Sequence, residues 1–299
     1  MLGGVVGWWL APALVDDVLK MILIASLPAF GFGLAEDLTR KVGVRERLLA
    51  TMASGVLAWW LSGISLSRID VWGFDVALSW LPLSVAFTAF AVGGIANAVN
   101  IIDGFNGLAA GVILICLSSL GLIALLAGDP VMAKVCFVFG GVTAGFLLLN
   151  FPFGKIFLGD GGAYLLGFWL AWIAVLIVMR NENISPWSSL LACAYPIVEV
   201  LFSMYRRMRR NHSAGHPDRL HLHSLIKSRI TRKRKPKLST VMSNAAVSPY
   251  LWALAVVPAV LAPMLRAHTG WLMIAFAGFF ALYYGCYVRL VRFALKNAR

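Results

Sequence analysis

The chain has 299 residues, 60% of them hydrophobic and only 13% charged, with a mean hydropathy of +0.83 and a formal net charge of +13. Runs of about twenty apolar residues recur from end to end, each long enough to cross a hydrocarbon core roughly 30 Å thick, which excludes an ordinary soluble domain. In lipid every backbone polar group must be bonded within the protein, so the spans are helices and the fold class is all-α and polytopic.

The opening MLGGVVGWWLAPAL is apolar but too short to span, and it lacks the basic start and cleavage site of a signal peptide. About nine transmembrane helices follow, at 18–35, 46–66, 76–98, 107–127, 131–151, 162–179, 187–204, 249–266 and 270–290. No internal repeat and no separate soluble domain interrupts them. Residues 1–299 therefore read as one integral membrane domain, with a basic loop at 205–248 inside it. Cys116, Cys136, Cys193 and Cys286 all fall within spans, share no spacing, and read as small apolar packing groups.

Charge gives the orientation. Taken alternately, the loops 36–47, 97–106, 152–161 and 205–248 and the tail from Arg289 hold 21 of the 26 lysines and arginines. The positive-inside rule places that set in the cytoplasm. The basic stretch of 205–248 lies against a membrane surface, where attraction to anionic lipid heads accounts for its charge, and nucleic acid is not an expected partner. The unusual polar sequences, Glu36-Asp37, NAVNIIDGFNG, FLGDGG and the histidines at 221 and 223, all fall on this same side. A cytoplasmic-face active site is the economical reading. An ion-coupled transporter would instead spread its polar groups through the midplane of several helices.

In NAVNIIDGFNGLAAG, residues 97–111, Asn97, Asn100 and Asp103 are three apart and share one helix face. Gly104 and Gly107 then break the helix and leave Asn106 in a tight connection. Polar groups at membrane depth are costly and face a cavity or a partner; capping and interhelical bonds are the structural alternative. Asp160 sits between glycines before the span from 162, as a cap or as a group a ligand can approach. Glu36 and Asp37 end the first span, where two acids oppose the helix dipole and local helix stability does not account for them. A hard cation such as Mg²⁺ would, held by few protein oxygens and by phosphate. No zinc spacing and no glycine-rich phosphate loop is present. Arg219, His221 and His223 can donate to phosphate oxygens. The combination points to phosphoryl transfer between a soluble and a lipidic substrate.

Five segments, in order, resemble the polyprenyl-phosphate N-acetylhexosamine-1-phosphate transferase superfamily: GLAEDLTRKVGVRERLL, NAVNIIDGFNGLAAG, NFPFGKIFLGDGGAYLLGF, YPIVEVLFSMYRRMRR and PDRLHLHSLI. FLGDGG and PDRLHLHS look most like the bacterial UDP-GlcNAc:undecaprenyl-phosphate GlcNAc-1-phosphate transferase branch. The phospho-MurNAc-pentapeptide transferases, with three consecutive histidines, are the alternative, and an inactive relative is another. The resemblance implies a multi-pass enzyme of the bacterial inner membrane. It would move N-acetylhexosamine-1-phosphate from a UDP-sugar to undecaprenyl phosphate and release UMP, the first membrane step of envelope polysaccharide synthesis. Mg²⁺, or Mn²⁺ in its place, would be the cofactor, and a homodimer is left open.

By position, the resemblance makes Asp160 the metal-binding acid and Asn100 a second ligand, with Asp103 a catalytic acid. Asn106, Gly107 and Leu108 would read uracil, Phe157 would stack on the base, and Asn150 would contact uridine. Asn97 is placed with the substrate-binding residues. Asp37, with Glu36 beside it, would orient or deprotonate the lipid phosphate, and Arg219, His221 and His223 would hold the diphosphate. Three departures stand out. Glu36 replaces the usual Asp, Ser224 replaces a third histidine, and the first two family spans with their glycine-rich loop have no counterpart before residue 18. A start site placed too far downstream or a shortened member would account for the last.

Overall fold

The computed structural model describes residues 13–209, 220–233 and 239–296, and among the described residues every regular element is a helix. In chain order these are α1 (Ala13–Ala25), α2 (Leu27–Thr39), α3 (Val44–Ser62), α4 (Phe74–Leu78), α5 (Leu81–Ile102), α6 (Leu108–Ala127), α7 (Pro130–Asn150) and α8 (Gly159–Arg180). They are followed by α9 (Pro186–Ala192), α10 (Ala194–Arg209), α11 (Leu222–Lys233), α12 (Thr240–Ala245), α13 (Ser248–Met264) and α14 (Thr269–Lys296).

Among the described residues six helices are long and apolar enough to cross a membrane, and up to eight spans result if each of two bent pairs counts as one. This is the expected multi-pass, all-α protein, with two differences in detail. The expected span at 46–66 is α3, whose 19 residues carry Arg45, Glu46 and Arg47 in the first turn, too many charges for a plain span. The expected span at 187–204 is not one rod, because α9 and α10 meet at 80°. A milder bend of 41° separates α1 from α2. Pro28 and Pro196 lie just after the two breaks, where the missing N–H and the ring prevent helical bonding back across the junction. The basic loop expected at 205–248 is partly helical, since it includes the end of α10 and all of α11 and α12.

The centre of the bundle is α8. It is apolar on every side, and a helix of that kind belongs in the interior rather than at a surface. Phe168, Trp169, Trp172 and Ile173 are all buried. Small residues bring its neighbours close, as between membrane helices generally: a Cβ added to Gly167 would lie 2.7 Å from the Cα of Ala96 on α5.

The end of the bundle carrying Arg68 and Arg180 is tied shut. Arg68 donates from Nη2 to the carbonyls of Val178, in the last turn of α8, and of Asn181, Glu182 and Ile184 beyond it, and from Nη1 to Asp70 at 3.0 Å. Asp129 caps α7 by accepting the Met132 N–H and also accepts from Arg180 Nε at 2.8 Å. Burial pushes the Asp129 carboxyl up, but Arg180 and the Met132 N–H outweigh it and leave it below the ordinary value.

Candidate active site

At the opposite end, two glycines let α2 lie on the start of α8: a Cβ on Gly33 would fall 2.6 Å from the Cα of Gly161. Asp37, one turn further along α2, therefore reaches over the first turn of α8. Its Oδ1 accepts the backbone N–H of Asp160 and its Oδ2 that of Gly161, both at 2.9 Å. A helix start leaves four N–H groups without internal partners, and here another helix supplies the carboxylate for two of them. Gly159, at φ 67°, has no space for a Cβ, which would lie 2.6 Å from that carboxylate. The approach expected of a ligand at these glycines is thus made by Asp37.

Asp160 does not cap its own helix. Its Oδ1 accepts from Asn100 Nδ2 at 2.9 Å, and its Oδ2 accepts from the guanidinium of Arg47 on α3. Tyr164 donates to Asn100 Oδ1 at 3.4 Å, which completes a chain of four side chains from three helices. Asp103 ends α5 in the same neighbourhood. Burial, with the negative charges of Asp160 and Asp37, pushes its carboxyl from 3.8 up to about 7. Glu36 brings its charge near Arg47 and Tyr164, and its Oε2 accepts the Val42 N–H at 2.8 Å and closes the turn after α2. The two acids that local helix stability does not account for have partners beyond their own helix: Glu36 accepts from the turn after α2 and Asp37 caps α8.

The loop 103–107 is clamped to the loop after α7. Asn150 accepts the Gly107 N–H on Oδ1 and donates to the Ile156 carbonyl at 2.7 Å. Asn106 donates to the Pro152 carbonyl at 3.0 Å, while its own carbonyl accepts from Ser248. Gly107 has a left-handed φ of 76°, and a Cβ there would meet Phe151 at 2.8 Å. Leu108 points into the core at 0% exposure, whereas Phe157 stands 80% exposed on the facing loop. Asn97 faces α3, donating to Thr51 Oγ1 at 3.1 Å and to the Gly93 carbonyl at 2.8 Å.

The two histidines lie against the other side of loop 103–107. Their rings stack at 5.1 Å, and His223 packs edge-on against Phe105 at 5.2 Å. A Cβ on Gly104 would sit 3.4 Å from His223 Nε2. His221 Nδ1 lies 3.0 Å from Glu199 Oε1 on α10. Arg219 lies outside the described residues.

The fold thus gathers Asp37, Asn100, Asp103 and Asp160 into one cluster and brings His221 and His223 to its edge through Gly104 and Phe105. Asn106 and Asn150 form the clamp beside it. The residues in contact with the cluster or the histidines include several the sequence reading does not single out, among them Arg47, Tyr164, Phe105, Ser203 and Glu199. Among the described residues no three His, Cys, Asp or Glu groups converge as a cage for a metal ion. A cation here would rest on Asp160 with the Asn100 amide oxygen, and Arg47 already supplies positive charge at that carboxylate. Beside Asp37 a cavity of about 240 Å³ opens between α2, α7 and α8, walled by apolar groups that include Phe30, Leu34, Phe146 and Trp169.

The model of glycosyl transferase family 4 matches residues 19–178, more than half of the chain. The chain is 33% identical over 150 residues to the undecaprenyl-phosphate alpha-N-acetylglucosaminyl 1-phosphate transferase of Yersinia pestis, covering 48% of this chain and 41% of the relative. It is 30% identical over 192 residues to the Escherichia coli K12 protein of the same name, covering 62% and 52%. With the decaprenyl-phosphate N-acetylglucosaminephosphotransferase of Mycobacterium tuberculosis the identity is 32% over 228 residues, covering 68% and 55%. The chain spans about half the length of the curated relatives it matches. By its motifs, its helices and this match, the chain belongs to glycosyl transferase family 4.

Proposed function

We propose that the protein transfers GlcNAc-1-phosphate from UDP-GlcNAc to undecaprenyl phosphate at the cytoplasmic face of a bacterial inner membrane. The observation that carries this reading is the convergence of Asp37, Asn100, Asp103 and Asp160 on one end of the bundle, with His221 and His223 at the edge. The apolar cavity beside Asp37 suits a lipidic acceptor whose phosphate stays at the polar end. In the reaction an oxygen of the lipid phosphate attacks the sugar-linked phosphorus of the UDP-sugar. The bond from that phosphorus to the bridging oxygen breaks, and UMP leaves.

Little covalent chemistry falls to the protein in such a transfer, so its work is positioning and neutralising charge. Asp160 and Asn100 would hold Mg²⁺, or Mn²⁺, which when bound supplies positive charge to the diphosphate. Arg219, His221 and His223 would donate to the same oxygens. Asp37, fixed by two backbone N–H groups, would orient the acceptor. Asp103, its carboxyl pushed up to about 7 by burial and by the charges of Asp160 and Asp37, is the group suited to give or take a proton near neutral pH. Phe157, exposed on its loop, would stack on the uracil, and the clamp of Asn106 and Asn150 would hold the base-reading segment in shape.

The test is transfer by the purified full chain in detergent. Labelled UDP-GlcNAc and undecaprenyl phosphate should yield labelled lipid and UMP, and EDTA should stop the reaction until Mg²⁺ is restored. Labelled lipid from UDP-MurNAc-pentapeptide but not from UDP-GlcNAc would overturn the donor, and no product from either would overturn the reading. The face of the membrane is tested separately. A cysteine at Ser239 should react with an impermeant thiol reagent only in opened cells, and one at Asn183 in intact cells.

A further inference from the structure

The segment YPIVEVLFSMYRRMRR places one acid, Glu199, inside an otherwise apolar span, and the mechanism above has no use for it. The structure shows why it matters. Glu199 is 0% exposed. Its Oε1 lies 3.0 Å from His221 Nδ1 and accepts the Leu222 N–H at 3.3 Å, and its Oε2 accepts from Tyr283 on α14 at 2.7 Å. Ser203, one turn along α10, also lies 3.1 Å from His221 Nδ1. A neutral side chain would suffice to staple residues 221–222 to the bundle. A buried carboxylate is costly, tolerated where its charge is used or fully bonded.

We propose that Glu199 is a positioning residue of the donor site. Its carboxylate fixes the ring of His221 by taking the hydrogen bond at Nδ1, so that Nε2 is the nitrogen offered to a phosphate oxygen. Which imidazole nitrogen is available to a ligand is set by the bond the other one makes. The stacked ring of His223, itself against Gly104 and Phe105, keeps the pair in register with the loop that carries Asp103. Tyr283 bonds the other oxygen, Oε2, while Oε1 is the one that fixes the ring. The role rests on the reading of His221 as a diphosphate-binding group.

The experiment uses the full chain in detergent with UDP as the only ligand, together with nitrogen spectra of isotopically labelled histidine. In the unaltered protein His221 should carry a proton on Nδ1. Glu199→Met should lose that signature and weaken UDP binding roughly tenfold to a hundredfold, the range for losing a hydrogen bond to a charged group. Glu199→Asp should recover part of both. In a His221→Gln background, Glu199→Met should change UDP affinity by less than about twofold, because one residue acts through the other. Tyr283→Phe, which spares the contact to His221, should keep UDP affinity within the same limit. Full independent losses in the double variant, a tenfold loss in Tyr283→Phe, or a ring protonated only on Nε2 in the unaltered protein would each overturn the proposal. If UDP fails to bind the unaltered protein, the donor-site reading fails, and the ring spectra alone decide the role of Glu199.

Discussion

The two ends of the bundle use the same kinds of side chain for opposite purposes. At one end, Arg68 and Arg180 meet Asp70, Asp129 and the carbonyls past α8, so that arginine and acid sit in matched pairs. At the other, Asp103 lies among the charges of Asp160 and Asp37, and Asp160 accepts from Arg47, which Glu36 also faces. The carboxyls respond in opposite directions: Asp129 is held below its ordinary pKa by Arg180 and the Met132 N–H, while burial, with the charges of Asp160 and Asp37, pushes Asp103 up to about 7. An end whose charges are matched is a staple. An end that brings three acids, an apolar cavity and an exposed aromatic together is the end on which the proposed transfer is placed.

The comparison breaks most visibly if a central acid is removed at each end. Asp160→Asn should lower transfer at least a thousandfold while the protein keeps its elution profile and thermal midpoint, since loss of one organised electrostatic group costs about 10²–10³ and the proposed cation ligand goes with it. Asp129→Asn should do the reverse. It should leave transfer within about threefold but reduce stability by about 1–3 kcal/mol, because Arg180 and the Met132 N–H lose their charged partner. Comparable losses of activity in both variants would erase the distinction between the ends.

Much of the open end was legible in the sequence, because its signals are local. The three-residue spacing of Asn97, Asn100 and Asp103, the glycines around Asp160 and the pair His221/His223 are patterns within a dozen residues. What was not legible depends on which helices touch. Arg47 reads in sequence as one more positive charge near a membrane surface, yet it reaches Asp160, 113 residues away. Glu199 is a lone acid until Tyr283, 84 residues later, folds onto it. The bends after α1 and α9 were also hidden. Proline marks them, but α13 carries Pro258 and Pro263 inside an unbroken helix, so proline alone does not decide.

A second contrast separates recognition from structure within the open end itself. Phe157 is almost fully exposed, whereas Asn150 is buried with both ends of its amide bonded. Phe157→Ala should raise KM for the UDP-sugar roughly tenfold, since stacking of a base on an aromatic is worth about 1–3 kcal/mol, with kcat and thermal midpoint little changed. Asn150→Ala should lower the midpoint clearly, because it leaves the Gly107 N–H and the Ile156 carbonyl without their partner. A drop in stability for Phe157→Ala with KM unchanged would show that the ring packs rather than binds.

The opposed pKa shifts give a pH test. Asp103 is raised in the folded state, so between about 4 and 7 the folded protein holds a proton that the unfolded chain has released. That contribution to stability is fully present below 3.8 and is lost as pH rises through 7. Asp129 is lowered, so its contribution is present above 3.8 and is lost as pH falls below it. Thermal midpoints of the ligand-free protein should therefore decline from pH 4.5 to 7.5 more steeply than those of Asp103→Asn. Asp129→Asn should keep that decline. Parallel curves for the unaltered protein and Asp103→Asn would mean that the Asp103 carboxyl titrates like an ordinary surface acid.

The smallest effect tests the least secure member of the polar stripe. Asn97 was placed with the substrate-binding residues because it shares a helix face with Asn100 and Asp103. In the folded protein its amide instead donates to Thr51 on α3 and back to the Gly93 carbonyl, the kind of interhelical bond that averages about 0.6 kcal/mol between membrane helices. Three residues along a helix turn a side chain by about 60° from a full circle, so a stripe that begins on the cluster at Asp103 drifts toward the neighbouring helix by Asn97. Asn97→Ala should accordingly shift stability by less than about 1 kcal/mol and leave KM for the UDP-sugar within about twofold. Thr51→Val should reproduce the same small change, and the two substitutions together should cost no more than either alone. A tenfold rise in KM for Asn97→Ala, absent from Thr51→Val, would return Asn97 to the substrate site and show that the receiving end extends one turn deeper into the membrane.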